Sequence, residues 1–205
     1  AMTSGKARQE TLAHGRVERM WGFIFNLRRA PFDDVNVRKA LSLMVDYDWI
    51  NQNIFHGQYK ATTSFYPNSS LAASGLPSAD ELALLQPFKD TLPADVFGSA
   101  WKPAASGTPE AVRAAHKEAD ALLKKSGWII RDGKRVNAKT GKPLSFEILL
   151  TAPEDEKVAL SFKRSLGRLG INVTLRTLDT AAFRDRLNSF DYDMTLYFWT
   201  NTLSP

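Results

Sequence analysis

The chain has no cysteine among its 205 residues, which excludes disulfide bonds and thiolate metal sites. It also has no run of about eighteen apolar residues, so no membrane-spanning helix is predicted. The three histidines, His14, His56 and His116, are too far apart to match the spacing of zinc ligands. Gly-x-Ser-x-Gly, Walker and Gly-x-Gly-x-x-Gly motifs are missing too. The sequence therefore predicts no catalytic residue, no metal ligand and no cofactor.

The charge is modest and is not gathered into a block. The net charge is +5, and basic residues occur in pairs such as Arg28-Arg29 and Lys124-Lys125, interleaved with acids. Aromatic residues do not alternate with basic ones in the way that single-strand binders require. We therefore predict no nucleic-acid partner, although a basic nucleic-acid-binding module stays open as an alternative.

The two ends of the chain suggest a piece of a longer protein. Residues 1–19 are polar and mixed in sign, and we interpret them as a lead-in whose first five residues resemble a cloning remnant, followed by an incomplete element. Residues 20–205 are predicted to form one domain. Its last apolar strand ends six residues before Pro205, so we expect the domain to be truncated there.

Hydrophobic periodicity and capping signals divide the chain into short elements. Trp21 to Leu27 alternates as a strand, and residues 58–77 carry only turn signals. Helices are predicted from about Asn36 to Phe55, from Ser78 to Leu85, and from Thr108 to Gly127, and tight turns at Asp132-Gly133 and Thr140-Gly141. Residues 144–199 then read as strand, helix, strand, helix, strand, which implies parallel pairing through right-handed crossovers. The predicted fold is α/β.

The start of the first helix has a clear local logic. Pro31 cannot donate a hydrogen bond to a neighbouring strand, so it ends the strand before it. Asp34 is a candidate N-cap, and Asp33 places a second acid at the positive end of the helix dipole. Asp34 and Arg38 are four residues apart, which predicts a helical ion pair. The acidic run Glu154-Asp155-Glu156 has the same explanation, because it falls in a predicted first turn.

In open parallel sheets, ligands bind beyond the carboxyl ends of the strands. Here that rule selects Thr151 and Pro153, Asp179 and Thr180, and above all the run from Trp199 to Thr202. Trp199 followed by Thr200, Asn201 and Thr202 offers an apolar wall beside hydrogen-bonding groups. The opposing interpretation is that Trp199 only closes the hydrophobic core.

Several motifs together resemble one known family. An Asn-containing strand leads into Pro31-Phe32-Asp33-Asp34 and a helix that carries Val37-Arg38 and Ala40-Leu41. The matches continue with the segments Phe55-His56-Gly57, Gly127-Trp128, Leu169-Gly170-Ile171 and Tyr192-Asp193-Met194 to Trp199. This set resembles the family 5 extracellular solute-binding proteins, and residues 68–77 resemble its Yej-type branch.

The resemblance implies a fold and a role. The fold would be the second lobe of a type II (cluster C) periplasmic binding protein, with a mixed, partly parallel sheet and flanking helices. The role would be that of a non-enzymatic, substrate-binding subunit of a bacterial ABC importer in the periplasm of a Gram-negative bacterium. It would capture oligopeptides, peptide-nucleotide antibiotic conjugates included, between this lobe and a first lobe that the chain does not contain, and deliver them to the permease subunits.

The resemblance also implies a binding site. Trp199 matches a ligand-side tryptophan of oligopeptide binders, whereas Leu196 and Thr202 stand where those proteins carry an arginine and an aspartate. The other candidate ligand-binding residues are Thr200, Asn201 and Thr202 beside it, and Asn26, Phe65, Tyr66 and Asn68 by analogy. A non-peptide solute such as an opine, or a hydrolase function, remains an alternative at this point.

Overall fold

The computed structural model describes residues 8, 10 and 12–203. Residues 1–5 and the closing Ser204-Pro205, for which we made predictions above, lie outside the described residues. The chain divides into two compact units. The first unit comprises Ala1–Met20, Thr62–Trp101 and Trp199–Pro205, and the second comprises Trp21–Ala61 and Lys102–Phe198. That residues 20–205 act as one lobe of a larger protein stays a prediction.

The architecture is mixed α/β, as the sequence predicts. The strands are β1 (Met20–Phe25), β2 (Trp128–Arg131), β3 (Lys134–Asn137), β4 (Ser145–Leu150), β5 (Asn172–Thr177) and β6 (Met194–Trp199). A four-stranded sheet has the order β1-β6-β4-β5, and β2 and β3 form a separate hairpin. Strand β4 pairs in parallel with both β5 and β6, which confirms the predicted crossovers.

Helices flank the sheet. They are α1 (Val35–Leu43), α2 (Tyr47–Asn53), α3 (Ala79–Leu85), α4 (Pro109–Lys125), α5 (Pro153–Gly167) and α6 (Thr180–Asn188), with 3-10 turns at Gln86–Phe88 and Ala94–Phe97. No regular helix or strand lies between Asn53 and Ala79, as the turn signals predict. Within the part of the chain that the structure describes, no helix combines the length and the apolar character needed to cross a membrane.

Strand β4 lies at the centre of the hydrophobic core and is buried on both faces. Ile148, Leu149 and Leu150 have no exposed surface. Ile148 and Leu150 belong to the larger core cluster, whereas Leu149 packs with Phe183 and Tyr192 in a smaller one. Since successive side chains of a strand point to opposite faces, these two clusters cover opposite sides of the sheet.

The predicted helix over residues 36–55 is wrong in its extent. Asp34 caps α1 by accepting a hydrogen bond from the backbone N–H of Asn36 at 2.7 Å, as expected. The helix ends at Leu43, however, and a new one begins at Tyr47. Asp46 causes the break, because its carboxylate accepts from the backbone N–H of Trp49 and caps α2.

The predicted ion pair between Asp34 and Arg38 is also wrong. The Arg38 guanidinium turns back along the chain and donates to the carbonyl oxygens of Phe32 at 2.7 Å and Asp33 at 3.0 Å. Those carbonyls precede the helix and lack partners within it, so Arg38 stabilises the chain that leads into α1.

Other local predictions are confirmed. Ser78 and Glu81 form the predicted capping box at α3. Thr108 caps α4, and Pro109 occupies its first turn. Asp132 and Gly133 both have positive φ, 52° and 74°, at the turn of the β2–β3 hairpin. Each is a local signal that depends on a few neighbouring residues.

Arg135 joins three elements from a buried position that the sequence does not reveal. Only 1% of its surface is exposed. Its guanidinium donates to the carbonyl oxygens of Leu169 at 3.0 Å and Trp128 at 3.3 Å, and to the carboxylate of Asp120 at 2.7 Å. Strand β3 is thereby tied to helix α4 and to the turn before β5.

The carboxylate of Asp120 is the counter-charge of this buried cation. Burial acts to raise the pKa of Asp120, but hydrogen bonds from Lys124 and Arg135 outweigh it and hold the pKa below its ordinary value. A carboxyl whose pKa is lower in the folded than in the unfolded state stabilises the fold above its unfolded pKa. That contribution is lost as the pH falls through the folded pKa.

We expect Asp120→Asn to lower the free energy of unfolding by roughly 3 kcal/mol at neutral pH, because it leaves a buried guanidinium without its counter-charge. Urea denaturation followed by circular dichroism measures the change.

Glu118→Gln is the matched control on the same helix, where the side chain is exposed, and it should change the stability by less than about 0.5 kcal/mol. The difference between the parent chain and Asp120→Asn should shrink as the pH falls below 3.8, the ordinary pKa of the carboxyl. Equal stability of the two variants at neutral pH would contradict the role given to this pair.

Candidate functional site

The structure brings two of the predicted ligand-binding segments together within the first unit. The side-chain amide of Asn201 donates a hydrogen bond to the backbone carbonyl of Phe65. The segment after β6 is thereby attached to the long irregular stretch that carries Phe65, Tyr66 and Asn68. No local pattern predicts this contact, because 136 residues separate its two partners.

Trp199 is not sealed inside the core. Its side chain is 40% exposed at the last position of β6, and Phe65 is 62% exposed. Tyr66 is half-buried, and Thr200 and Thr202 lie at the surface. The interpretation in which Trp199 only closes the core is therefore wrong. This part of the first unit presents aromatic surface beside hydroxyl and amide groups, which suits an extended chain with its own backbone donors and acceptors.

Asn68 holds the loop to the segment that precedes β1. Its φ is 60°, a left-handed conformation that asparagine tolerates better than most residues. Its side-chain amide donates to the carbonyl oxygens of His14 at 2.9 Å and Arg16 at 3.1 Å. The backbone N–H of Glu18 donates to the carbonyl of Pro67 at 3.1 Å. Residues 14–18 are therefore a support for the predicted ligand-binding loop.

Asn26 has a different set of contacts from the one expected at a ligand-binding position. It is only 2% exposed, and its side-chain amide donates to the carbonyl oxygens of Phe190 at 2.9 Å and Tyr192 at 2.7 Å. Its side-chain oxygen accepts from the backbone N–H of Arg28. Both amide hydrogens are thus engaged within the second unit, which favours an anchoring role over direct ligand contact.

The predicted site is uncharged in this chain. The eight predicted residues are aromatic rings, amides and hydroxyls, and Leu196, at the position that resembles an arginine site, is 5% exposed. The other residues chosen by the strand-end rule have local roles, since Asp179 caps α6 and Pro153 begins α5. Any recognition by Trp199 and its neighbours therefore relies on apolar contact and neutral hydrogen bonds.

The acidic run lies in the first turn of α5, as predicted, but the pKa of Asp155 is not lowered there. Glu154, Asp155 and Glu156 all lie there, and burial, with a smaller effect from Glu154, raises the pKa of Asp155. Glu156 accepts a hydrogen bond from the hydroxyl of Thr177. Across residues 8, 10 and 12–203, no group of three or more His, Asp or Glu side chains is arranged to hold a metal ion.

The first unit also contains a groove that the sequence did not predict. It has a volume of about 430 Å³ and is lined by parts of the segments 73–85 and 95–101. Leu76, Leu84 and Trp101 give it apolar walls and are each more than half exposed. The sequence signal that could have predicted this groove is the presence of these three large apolar residues in a stretch rich in proline and glycine. None of the predicted ligand-binding residues lines this groove.

The structure is thus an α/β fold with a partly parallel sheet and an exposed tryptophan, Trp199, at the last position of β6. The model of the bacterial extracellular solute-binding proteins, family 5, middle region, matches residues 3–205. The chain belongs to this family.

Curated relatives agree with that assignment. A protein from Brucella melitensis biotype 1 is 41% identical over 206 residues, which cover 100% of this chain and 33% of the relative. The "Probable peptide-binding protein YejA" of Agrobacterium fabrum is 35% identical, with 100% of this chain and 34% of the relative covered. The "Peptidoglycan-binding protein YepA" of the same organism is 40% identical, with 91% and 30% covered. The chain therefore spans about a third of the length of these relatives.

Solved structures share the fold at low sequence identity. The oligopeptide-binding protein AppA of Bacillus subtilis, in complex with a nonapeptide, superposes with a TM-score of 0.70 at 18% identity, over 93% of this chain and 32% of that one. NikA of Brucella suis, in complex with Fe(III)-EDTA, has a TM-score of 0.64 at 20% identity, with the same coverage. These two structures confirm the fold class.

The contacts of Asn26 lead to a prediction that separates anchoring from ligand binding. Asn26→Asp replaces the side-chain NH2 group, which donates to both carbonyls, with one oxygen atom that faces the carbonyls of Phe190 and Tyr192. We expect the free energy of unfolding to fall by about 3 kcal/mol, because buried acceptors would be left unpaired. Thermal unfolding followed by calorimetry measures the loss.

Asn172→Asp, at an exposed position at the start of β5, is the matched control and should change the stability little. If Asn26→Asp left the free energy of unfolding unchanged, the anchoring role of Asn26 would be contradicted and direct ligand contact would again be the better explanation.

Proposed function

We propose that this chain is part of the substrate-binding subunit of a bacterial ABC importer, and that the whole protein captures oligopeptides in a cleft between two lobes. In this proposal it catalyses no reaction and works in the periplasm, where the loaded form delivers its ligand to the permease subunits. Family membership supports the role, and the name of the Agrobacterium YejA relative supports a peptide ligand.

One observation in the structure carries the proposal furthest. Trp199 is exposed at the end of β6, and two residues later Asn201 holds the Phe65 loop in place. Exposed aromatic surface beside neutral polar groups can bury peptide side chains without selecting among them. The backbone of an extended peptide supplies the same donors and acceptors whatever its sequence, so a site of this kind has broad specificity.

We make two finer proposals for the class of peptide that the protein binds. The resemblance of residues 68–77 to the Yej-type branch favours oligopeptides, peptide-nucleotide antibiotic conjugates included. The 40% identity to YepA of Agrobacterium, which is named for peptidoglycan binding, favours peptides released from the cell wall. Both ligands contain a short peptide, and both are compatible with uncharged contacts from this chain.

The alternatives from the sequence have less support. A non-peptide solute such as an opine stays possible within the fold, because NikA shares it and is described with Fe(III)-EDTA. A hydrolase would need a nucleophile, a base and an orienting group within reach of one another. A nucleic-acid module would need its basic residues gathered on one face. No observation favours either of these two functions.

We expect Trp199→Ala in the full-length protein to weaken binding of a captured peptide about thirtyfold, or about 2 kcal/mol, because a buried aromatic contact would be lost. Isothermal titration calorimetry measures the affinity. The peptide is chosen by native mass spectrometry of the protein purified from its host with ligand bound.

Phe88→Ala is the matched control, since Phe88 is also an exposed aromatic residue of the first unit, at 58%, and is outside the predicted site. It should leave the affinity unchanged. Equal affinity of Trp199→Ala and the parent protein would remove Trp199 from the site, and a captured ligand without a peptide would contradict the peptide proposal.

A second expectation concerns the 205-residue chain by itself. Binding pockets bury most of their ligand's surface, and in this proposal another lobe supplies part of the walls. Titration of the isolated chain should therefore give an affinity at least about tenfold weaker than that of the full-length protein. Nanomolar binding of a peptide by the isolated chain would contradict the two-lobe account.

A further inference from the structure

The second unit contains a groove whose lining residues have no role in the proposed function. It has a volume of about 230 Å³ and lies between the α1–α2 junction, the start of α4, and α5. Its apolar lining includes Leu43, Met44, Val45 and Val112. None of the predicted ligand-binding residues belongs to it.

One face of α5 brings positive charge and hydroxyl groups to the groove. Ser161, Arg164, Ser165 and the C-cap Arg168 all line it. The two serines are four residues apart and so are the two arginines, which places the four residues on one side of the helix. Neither guanidinium forms an ion pair with any carboxylate in the part of the chain that the structure describes. Two arginines one turn apart can together donate hydrogen bonds to an anionic group with several oxygen atoms.

The carboxylates near the groove are already engaged. Asp46 lines it, and one of its oxygens accepts from the backbone N–H groups of Trp49 and Gly107, both at 3.1 Å. Asp48 accepts a hydrogen bond from the hydroxyl of Ser106 at 3.0 Å. Asp46 is the one acidic residue of the lining, against two arginines, and it sits at the positive end of the α2 dipole, which offsets its charge.

Trp49 adds an aromatic wall. It lines the groove and is 41% exposed, and its backbone N–H donates to the Asp46 cap at the start of α2. A large aromatic side chain left at the rim of an apolar groove offers a face for another ring. An engineered protein cavity of about 150 Å³ accommodates benzene, so about 230 Å³ has room for one ring and its substituent.

We propose that this groove binds a compact aromatic anion, that is, one ring bearing a carboxylate or phosphate group. The ring lies against Trp49 and the apolar lining, and the anionic group accepts hydrogen bonds from Arg164 and Arg168. The site is independent of peptide capture and would stand if the proposed function failed.

The test uses the 205-residue chain and two probes of nearly the same shape, benzoate and the neutral benzamide. Two-dimensional ¹H–¹⁵N NMR follows the indole N–H of Trp49, which a Trp49→Phe variant identifies. We expect benzoate to shift this signal saturably and benzamide to bind at least about tenfold more weakly, since the charged hydrogen bonds would be missing. Phenyl phosphate then shows whether phosphate is accepted in place of carboxylate.

The double variant Arg164→Gln/Arg168→Gln should weaken benzoate binding at least about tenfold. Arg184→Gln, at an exposed arginine of α6 outside the groove, is the matched control and should bind benzoate as the parent chain does. Circular dichroism confirms that all variants remain folded. Failure of benzoate and phenyl phosphate to give a saturable shift, equal binding of benzamide, or an unaffected double variant would each overturn the proposal.

Discussion

The burial of β4 on both faces is the constraint on which the rest of this structure depends. The side chains of Ile148 and Leu150 are buried on one face of the sheet and that of Leu149 on the other. Helices must therefore cover both faces to keep these side chains from water. Parallel pairing of β4 with β5 and β6 meets that need, because each crossover places a helix on a face of the sheet. The carboxyl ends of the parallel strands then share one edge of the sheet.

The three asparagines among the predicted site residues each hold a backbone segment in place. Asn201 and Asn68 hold the irregular loop through backbone carbonyls within the first unit, and Asn26 closes a buried turn in the second. An asparagine amide has two donors and can join two carbonyl groups that lack partners in a helix or sheet. Trp199 and Phe65 keep 40% and 62% of their surface exposed, and contact between these rings and a ligand is our proposal. Peptide capture by the whole protein remains our proposal, because the chain spans only about a third of its relatives.

Charge has separate roles in different parts of the chain. The buried Arg135 joins β3 to α4 and to the turn before β5, and the pKa of its partner Asp120 is held low by two cations. Arg164 and Arg168, by contrast, have no carboxylate partner among the described residues and face a groove with an aromatic wall. Sequence composition cannot distinguish these cases, since a count of charges treats every arginine alike. Only the position of acids from distant segments decides between a structural ion pair and a cation available to a ligand.

The sequence by itself determined the elements whose signals are local. The Ser78–Glu81 box, the Thr108 cap, the Asp132-Gly133 turn and the strand β4 each involve a few consecutive residues, and the structure contains them as predicted, although β4 is buried on both faces and not on one alone. The motifs of the family were also legible, and they gave its identity. Tertiary structure decided the remaining features. These are the helix break at Asp46 and the hydrogen bonds from Arg38 to backbone carbonyls. They also include the hydrogen bonds from Asn26 to Phe190 and Tyr192 and the one from Asn201 to Phe65. The physical reason is that these depend on which polar groups remain unsatisfied after folding, and their partners can lie more than a hundred residues away.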